Sequence, residues 1–153
     1  LEAGDADATF LALAGLKRLG LQDRASSIVD PQDMPPAACQ GALAITARVD
    51  DARVRDAVST YENATARIEI EAERSFLEAL DGSCRTAIGA LARVSGDRLS
   101  FIGEALTPDG STRWRRDETA TLSRDAIPDA RALALRLGQA IRDEAGDALV
   151  MDT

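Results

Sequence analysis

The absence that most narrows the chemistry of this chain is histidine, of which its 153 residues contain none. Without imidazole there is no histidine metal ligand, no Ser-His or Cys-His nucleophile pair, and no side chain whose ordinary pKa lies near neutrality. Catalysis would therefore depend on cysteine, carboxylates, lysine and arginine, or on groups outside this sequence. We expect no metal site.

Cysteine and long apolar runs are also scarce. The only cysteines, Cys39 and Cys84, lack the spacing of a disulfide framework, which favours a reduced, cytoplasmic setting. No run reaches the about 20 apolar residues of a transmembrane helix, so we expect no membrane association. The first residues lack the layout of a signal peptide, and Leu1 in place of Met suggests that the sequence begins inside a larger protein.

Basic residues are outnumbered, with 18 Lys and Arg against 26 Asp and Glu, a net charge of −8. Nucleic acids and anionic membranes select basic surfaces, because neutralising phosphate supplies most of the affinity, so we expect no nucleic-acid partner. Aromatic residues are only 3% of the chain, yet 45% of its residues are apolar, which is typical of a globular protein with a core.

The first sixty residues predict fragments rather than a complete fold. Residues 7–13 and 42–49 are short apolar runs that predict strands, and residues 14–20 predict a short helix ended by Gly20. The three prolines within 29–37 predict an extended connector and a boundary. Because these pieces have nowhere to bury their apolar faces, we expect the other strands of their sheets to lie upstream.

The remainder predicts an α+β domain in the order helix, three antiparallel strands, helix, preceded by a helix over 51–60. The first long helix is expected over 64–80 and the strands over 88–94, 99–105 and 111–119. The last helix should be capped by Asp125 and ended by Gly146. The pairs Arg67–Glu71 and Arg74–Glu78 are expected on the wet face of the first long helix. The predicted buried stripes of the two long helices are Ile68, Ala72, Phe76, Ala79 and Leu80, and Leu133, Leu137, Ala140 and Ile141.

Cysteine and arginine are the side chains that could carry chemistry. Cys84 lies in a predicted turn, beside Arg85, and can be interpreted either as a small buried hydrophobe or as an exposed nucleophilic thiolate. Residue types alone favour the buried thiol, and Cys39 is expected to be packed and unreactive. Arg18 ends a short predicted helix, where it either complements the helix dipole or clamps a carboxylate. Arg113, Arg115 and Arg116 are expected on a solvated strand edge.

Three motifs follow one another along the chain: Ala14-Gly15-Leu16-Lys17-Arg18-Leu19-Gly20, then Pro36-Ala37-Ala38-Cys39-Gln40-Gly41-Ala42 with Val49-Asp50-Asp51, then Glu73-Arg74-x-Phe76-Leu77-x-x-Leu80-x-Gly82-x-Cys84-x-x-x-Ile88-Gly89. Together they resemble the C-terminal half of the hydroxymethylbilane synthase (porphobilinogen deaminase) family. The last and most specific motif is similar to the family's cofactor-attachment signature, and the others resemble the helix that closes its second domain and its interdomain crossover.

The resemblance implies a three-domain enzyme whose first two domains are periplasmic-binding-protein-like α/β domains. On that pattern residues 1–35 finish the second domain, 36–60 return to the first as a crossover segment, and 61–153 form the C-terminal cofactor-attachment domain. This chain departs from the family's usual pattern at three places. It has Cys39 where the family usually has Gly, Ala87 where it usually has Pro, and Glu62-Asn63 where it usually has Asn-His. None of these changes the attachment cysteine.

The resemblance also implies the activity. The family condenses four porphobilinogen molecules head to tail, releasing ammonia, in tetrapyrrole (haem) biosynthesis. A dipyrromethane cofactor, thioether-linked to Cys84, primes the chain. Arg18 would hold its carboxylates, and the cleft would be lined by Ala14, Gly15, Gln40 and Gly41.

The implied partners are porphobilinogen, the growing polypyrrole and the missing N-terminal half, within a full enzyme that is a monomer. The family's catalytic aspartate would lie upstream of Leu1, so no catalytic residue is expected in this chain, which alone should be inactive. The alternative is a non-catalytic α+β binding or structural module in which Cys84 is buried. A double-stranded-RNA-binding domain has the same element order, but the acidic charge disfavours it.

Overall fold

The computed structural model describes residues 1, 3–81 and 86–149, and the chain divides into two compact units, Leu1–Asp30 and Pro31–Thr153. Each unit is described by itself. Among the described residues no helix is long and apolar enough to cross a membrane. No group of three or more metal-ligating side chains occurs in that same part of the chain.

The first unit contains helix α1, Leu13–Arg18, and a 3-10 helix, Gln22–Arg24. Gly20 has a φ of 68°, so it ends α1 in the left-handed conformation as predicted, and the Leu21 N–H donates back to the Leu16 carbonyl at 2.8 Å. The strand predicted over 7–13 is wrong. Residues 7–12 are all described and none is in a strand, and Phe10 is 76% exposed. A strand needs a neighbour for its backbone groups, and this unit supplies none to the described residues.

The second unit begins with turns rather than the fully extended connector that the prolines predict. The strand predicted over 42–49 is also wrong for the same reason, since these described residues form no ladder and Leu43 is 96% exposed. Helix α2 runs over Ala52–Ser59, as predicted, and is capped by the Asp51 side chain, which accepts from the Val54 N–H. None of its described residues is buried.

The predicted helix–sheet–helix order is confirmed. Helix α3 spans Ala64–Ala79, strands β1, β2 and β3 span Ile88–Ser95, Arg98–Leu106 and Arg113–Thr121, and helix α4 spans Ala126–Ala145. The sheet is antiparallel in the order β1-β2-β3. Asn63 caps α3 by accepting from the Ala66 N–H. Asp125 precedes α4 but makes no side-chain cap; Asp129 instead accepts from the Ser123 N–H at 2.6 Å.

The core lies between α3, α4 and one face of the sheet. Phe76 of α3 and Phe101 of β2 are fully buried, with ring centroids 5.4 Å apart. A Cβ on Gly103 would lie 2.4 Å from the Phe76 ring, so only glycine fits beneath that ring. The predicted stripes are confirmed, with Ile68 and Ala140 partly rather than fully buried. The expected Arg67–Glu71 pairing is replaced by Arg67–Glu62 at 2.5 Å, and Glu71 pairs with Arg131 of α4 at 2.7 Å.

Candidate functional site

Cys84, with Gly82 as the predicted helix cap, lies outside the described residues, so neither prediction is tested here. The described residues on both sides of this segment belong to elements of the domain core. On one side α3 ends at Ala79 and is followed by buried Leu80 and by Asp81, which forms an ion pair with Arg142 of α4. On the other side β1 begins at Ile88. The segment predicted to bear the cofactor thus joins two core elements of the C-terminal domain.

The first group of predicted cofactor residues lies on α1. Arg18 occupies the last turn of this helix, and Ala14, Gly15 and Arg18 are all exposed. A Cβ added to Gly15 would meet nothing within 4 Å. An exposed guanidinium on a helix with open backbone beside it is suited to binding a carboxylate-bearing molecule. The residues of this group are therefore accessible to a ligand that carries carboxylates, and their assignment to the cofactor stays a prediction.

The second group, Gln40 and Gly41, lies in a tight turn of the second unit. The Gln40 N–H donates to the Ala37 carbonyl at 3.0 Å, and the Ala42 N–H donates to the Cys39 carbonyl at 3.1 Å. Gly41 has a φ of 85°, and a Cβ there would meet nothing within 4 Å. The turn therefore presents the exposed Gln40 side chain and the bare backbone of Gly41 to open space.

Cys39 adopts a φ of 62°, in the left-handed region that side chains other than those of Gly, Asn and Asp rarely occupy. Glycine would adopt this backbone conformation without the steric cost that a Cβ brings. The thiol is half-buried and donates weakly to the Ile70 carbonyl at 3.8 Å. Burial, and next the negative charge of Glu73, raise the pKa of Cys39, so the thiolate is disfavoured. The thiol is partly packed, in the direction of the prediction, and its low reactivity stays a prediction.

Glu73 is a site residue that the sequence did not single out for chemistry. Its side chain is buried within the unit formed by α3 and the sheet. One carboxylate oxygen accepts from the Cys39 N–H at 2.6 Å and the other from the Ala92 N–H of β1 at 2.9 Å. Burial raises the pKa of Glu73, while the hydrogen bonds from Ala92 and Cys39 and the charge of Arg93 oppose that rise. The sequence did hold one signal for this role, because Glu73 lies between Ala72 and Phe76 of the predicted buried stripe of α3.

Glu73 belongs to a set of contacts that closes the open edge of the sheet. The outward N–H groups of β1 alternate along the strand, and three successive ones are satisfied from outside the ladder. Ala90 donates to the Pro36 carbonyl, Ala92 to Glu73, and Val94 to Glu69, each at 2.9 Å. An uncovered edge strand would be a template for pairing with other chains, so this covering protects the sheet.

Residues 31–39, here called the crossover strap, wrap around this edge. On the sheet face away from the helices, Arg115 donates to the Gln32 carbonyl at 2.7 Å. The Pro35 carbonyl would lie 2.7 Å from a Cβ on Gly89, which shows how closely the strap crosses β1. The strap then reaches α3 at Cys39. It is thus fixed to the domain at several points immediately before the Gln40-Gly41 turn.

The arginines of β3 are engaged within the domain. Arg113 forms an ion pair with the buried Glu104, and Arg115 lies 3.5 Å from the same carboxylate. Arg116 pairs with Glu144 of α4. These cations neutralise nearby carboxylates and do not form a free basic patch. They lie on an edge strand as predicted, but Arg115 and Arg116 are only partly exposed rather than fully solvated.

These features define the class of protein: a small α+β sandwich whose sheet edge is closed by a preceding segment of the chain. Two family models match, in order. The model for the porphobilinogen deaminase dipyrromethane cofactor binding domain matches residues 1–56, and that for the porphobilinogen deaminase C-terminal domain matches residues 67–143. The chain belongs to the porphobilinogen deaminase family.

Curated relatives agree with this assignment. A porphobilinogen deaminase of Caulobacter sp. is 51% identical over 152 residues, which are 99% of this chain and 48% of that protein. One of Nitrobacter hamburgensis is 46% identical over 147 residues, 96% of this chain and 45% of that protein. One of Phenylobacterium zucineum is 47% identical over 153 residues, 99% of this chain and 48% of that protein. The chain thus spans about half the length of the relatives it matches.

Proposed function

We propose that this chain is the C-terminal half of a hydroxymethylbilane synthase, and that it holds the dipyrromethane cofactor through a thioether to Cys84. The observation that carries the proposal is the match of the cofactor-binding and C-terminal domain models, in that order, over residues 1–56 and 67–143. All the predicted cofactor residues other than Cys84 fall within the first of these matches. Cys84 falls within the second.

Each residue has a distinct task in this proposal. Arg18 binds carboxylate groups of the cofactor through its planar guanidinium, which offers paired N–H donors. Gly15 and Gly41 each expose backbone that a flat ring could approach, and we assign Ala14 and Gln40 to binding the same cofactor. When bound, the cofactor supplies the pyrrole carbon on which the polymer starts.

Cys84 anchors the cofactor covalently. Its sulfur forms a bond to the methylene carbon of an aminomethyl pyrrole as the carbon–nitrogen bond of that group breaks. The thiol proton leaves with the amine as ammonia, so the step needs no oxidant or reductant. A thiolate is a good nucleophile for such a carbon, and the resulting thioether is stable through later cycles.

The rest of the enzyme completes the reaction. We propose that the catalytic aspartate and further substrate-binding arginines belong to the other half, so that porphobilinogen and the growing polypyrrole bind where the two halves meet. The apolar runs over 7–12 and 42–49 complete sheets of that half, in a monomeric enzyme of the cytoplasm. This is consistent with the exposure of Phe10 and Leu43 in this chain.

The test is to produce the chain together with the N-terminal half of the Caulobacter sp. relative and to measure its intact mass. The hybrid enzyme should carry a two-pyrrole adduct and colour with Ehrlich reagent, which detects pyrroles with a free α-carbon. Cys84→Ala should abolish both signals. Cys39→Gly is the matched control, because it removes the other cysteine, and it should keep both. An unmodified wild-type chain would instead support a structural module in which Cys84 is packed away.

A further inference from the structure

Glu73 differs from an ordinary edge-covering residue in the number and origin of the groups it binds. It accepts one N–H from β1 and another from the crossover strap, through separate carboxylate oxygens. The two donors, Cys39 and Ala92, are far apart in sequence. Glu73 therefore joins three segments at one buried point: helix α3, strand β1 and the strap.

Glu69 provides a comparison on the same helix, one turn earlier. Its carboxylate also accepts an N–H of β1, from Val94 at 2.9 Å, and it lies 3.9 Å from Arg93. Its described contacts do not include the strap. Both glutamates protect the edge of the sheet, but among these two only Glu73 holds the strap as well. Protection of the edge alone does not account for the contact with Cys39.

The position of the contact gives it a consequence for the site. Cys39 immediately precedes Gln40 and Gly41, and its left-handed φ of 62° sets the direction in which that turn leaves the domain. At the other end, Glu73 lies on α3, the helix that leads into the segment containing Cys84. A change at Glu73 would therefore move the turn relative to the attachment domain without removing any group that touches the cofactor.

We propose that Glu73 is a positioning residue, whose carboxylate fixes the Gln40-Gly41 turn relative to the domain that bears Cys84. This inference rests on the proposed function, because it assigns the turn to the cofactor cleft. The Ala92 N–H is buried and the Cys39 N–H is partly buried, and these two donors need two acceptor oxygens, which a carboxylate offers and an amide does not. Glutamine has nearly the same size and leaves one of the two donors without its acceptor. A buried unsatisfied donor is costly, so the strap should separate locally from α3.

The first arm of the test measures amide hydrogen exchange in the chain itself, comparing Glu73→Gln with Glu69→Gln. Glu73→Gln should speed exchange at residues 39–42 by about tenfold, the change expected from a loss of about 1.4 kcal/mol in local opening. Glu69→Gln should change exchange near Val94 and leave residues 39–42 as in the wild type. Equal exchange of 39–42 in both variants would overturn the proposal.

The second arm measures turnover and enzyme-bound pyrrole number in the hybrid with the N-terminal half of the Caulobacter sp. relative. Glu73→Gln should keep the cofactor mass on the chain, lower turnover about tenfold and shift the distribution of bound pyrroles, because a small misplacement is costly in catalysis. Glu69→Gln should retain wild-type turnover and distribution. Glu73→Ala should lower turnover further than Glu73→Gln. If Glu73→Ala does not fold, the nearly isosteric Glu73→Gln still tests the proposal.

These measurements distinguish a failure of the proposed function from a failure of the positioning role of Glu73. A wild-type hybrid without a pyrrole adduct contradicts the proposed function itself. A wild-type hybrid with the adduct, but with Glu73→Gln and Glu69→Gln equal in turnover and in bound-pyrrole distribution, contradicts only the positioning role. A merely structural Glu73 would lower the thermal midpoint while leaving that distribution unchanged.

Discussion

At the scale of single residues, the backbone of Cys39 is strained where glycine would not be. The left-handed conformation raises the free energy of a residue with a Cβ by about 1 kcal/mol or more. We expect Cys39→Gly to stabilise the chain by up to about 1 kcal/mol, since relief of this strain exceeds the added entropy of the unfolded chain. Urea unfolding measures the change. Ala37→Gly, in the same segment with no left-handed φ, is the control and should destabilise; a loss of stability in Cys39→Gly as large as in this control would contradict the strain.

Asp109 gives a pH-dependent prediction, also at this scale. The hydroxyls of Thr107 and Ser111 and the Ser111 N–H donate to its carboxylate, and they lower its pKa to about 2. A carboxyl with a lowered folded pKa stabilises the fold above its unfolded pKa and loses that effect as pH falls through the folded value. The thermal midpoint of the wild type should exceed that of Asp109→Asn at pH 6. The difference should shrink as pH falls below about 4. A difference independent of pH would show that the charge has no part in holding this turn.

The roles of some of these residues could be predicted from the sequence, and the roles of others could not. The low reactivity of Cys39 was predicted, because a lone cysteine between small residues is typically packed. The role of Glu73 was not, because a glutamate in a helix ordinarily faces water, and the donors it binds come from segments that meet only in the folded chain. Asp125 stands at the N-cap position of α4 as predicted, but its side chain makes no capping hydrogen bond, and Asp129 accepts from the Ser123 N–H before the helix instead.

At the scale of elements, the close packing of α3 against α4 depends on a glycine. A Cβ on Gly138 would lie 2.6 Å from the Ala79 Cβ and 3.0 Å from the Phe76 carbonyl oxygen. Gly138→Ala should therefore destabilise the chain by about 1–3 kcal/mol, although alanine favours helix formation by itself. The measurement is the midpoint of denaturant unfolding. Gln139→Ala, the exposed neighbour, is the control and should change it little; equal stability of the two variants would contradict the close contact.

Elements were predictable where their partners lie within the chain. The helices and strands from 51 onward show clear periodicity and find their neighbours locally, so their predicted bounds agree with the structure to within a few residues. The runs over 7–12 and 42–49 have strand-like composition, but an apolar run specifies only a tendency. Without a neighbouring strand they have no ladder partner, and the runs stay largely exposed.

At the scale of the whole molecule, the chain spans about half the length of its relatives, and among the described residues the buried core belongs to the C-terminal part. We predict that the chain alone does not convert porphobilinogen, because the proposed catalytic aspartate belongs to the other half. Incubation with porphobilinogen, followed by assay for hydroxymethylbilane, measures this. The hybrid with the Caulobacter sp. N-terminal half is the positive control. Product formed by the isolated chain would contradict this division of tasks.

The most direct measurement of the central claim is a peptide map of the hybrid enzyme. Trypsin cuts after Arg74 and Arg85 and releases a peptide of residues 75–85 that contains Cys84 and no other cysteine. We expect this peptide to carry the mass of two linked pyrroles and the peptide containing Cys39 to be unmodified. An unmodified 75–85 peptide from the wild-type hybrid, or an adduct on any other residue, would contradict it.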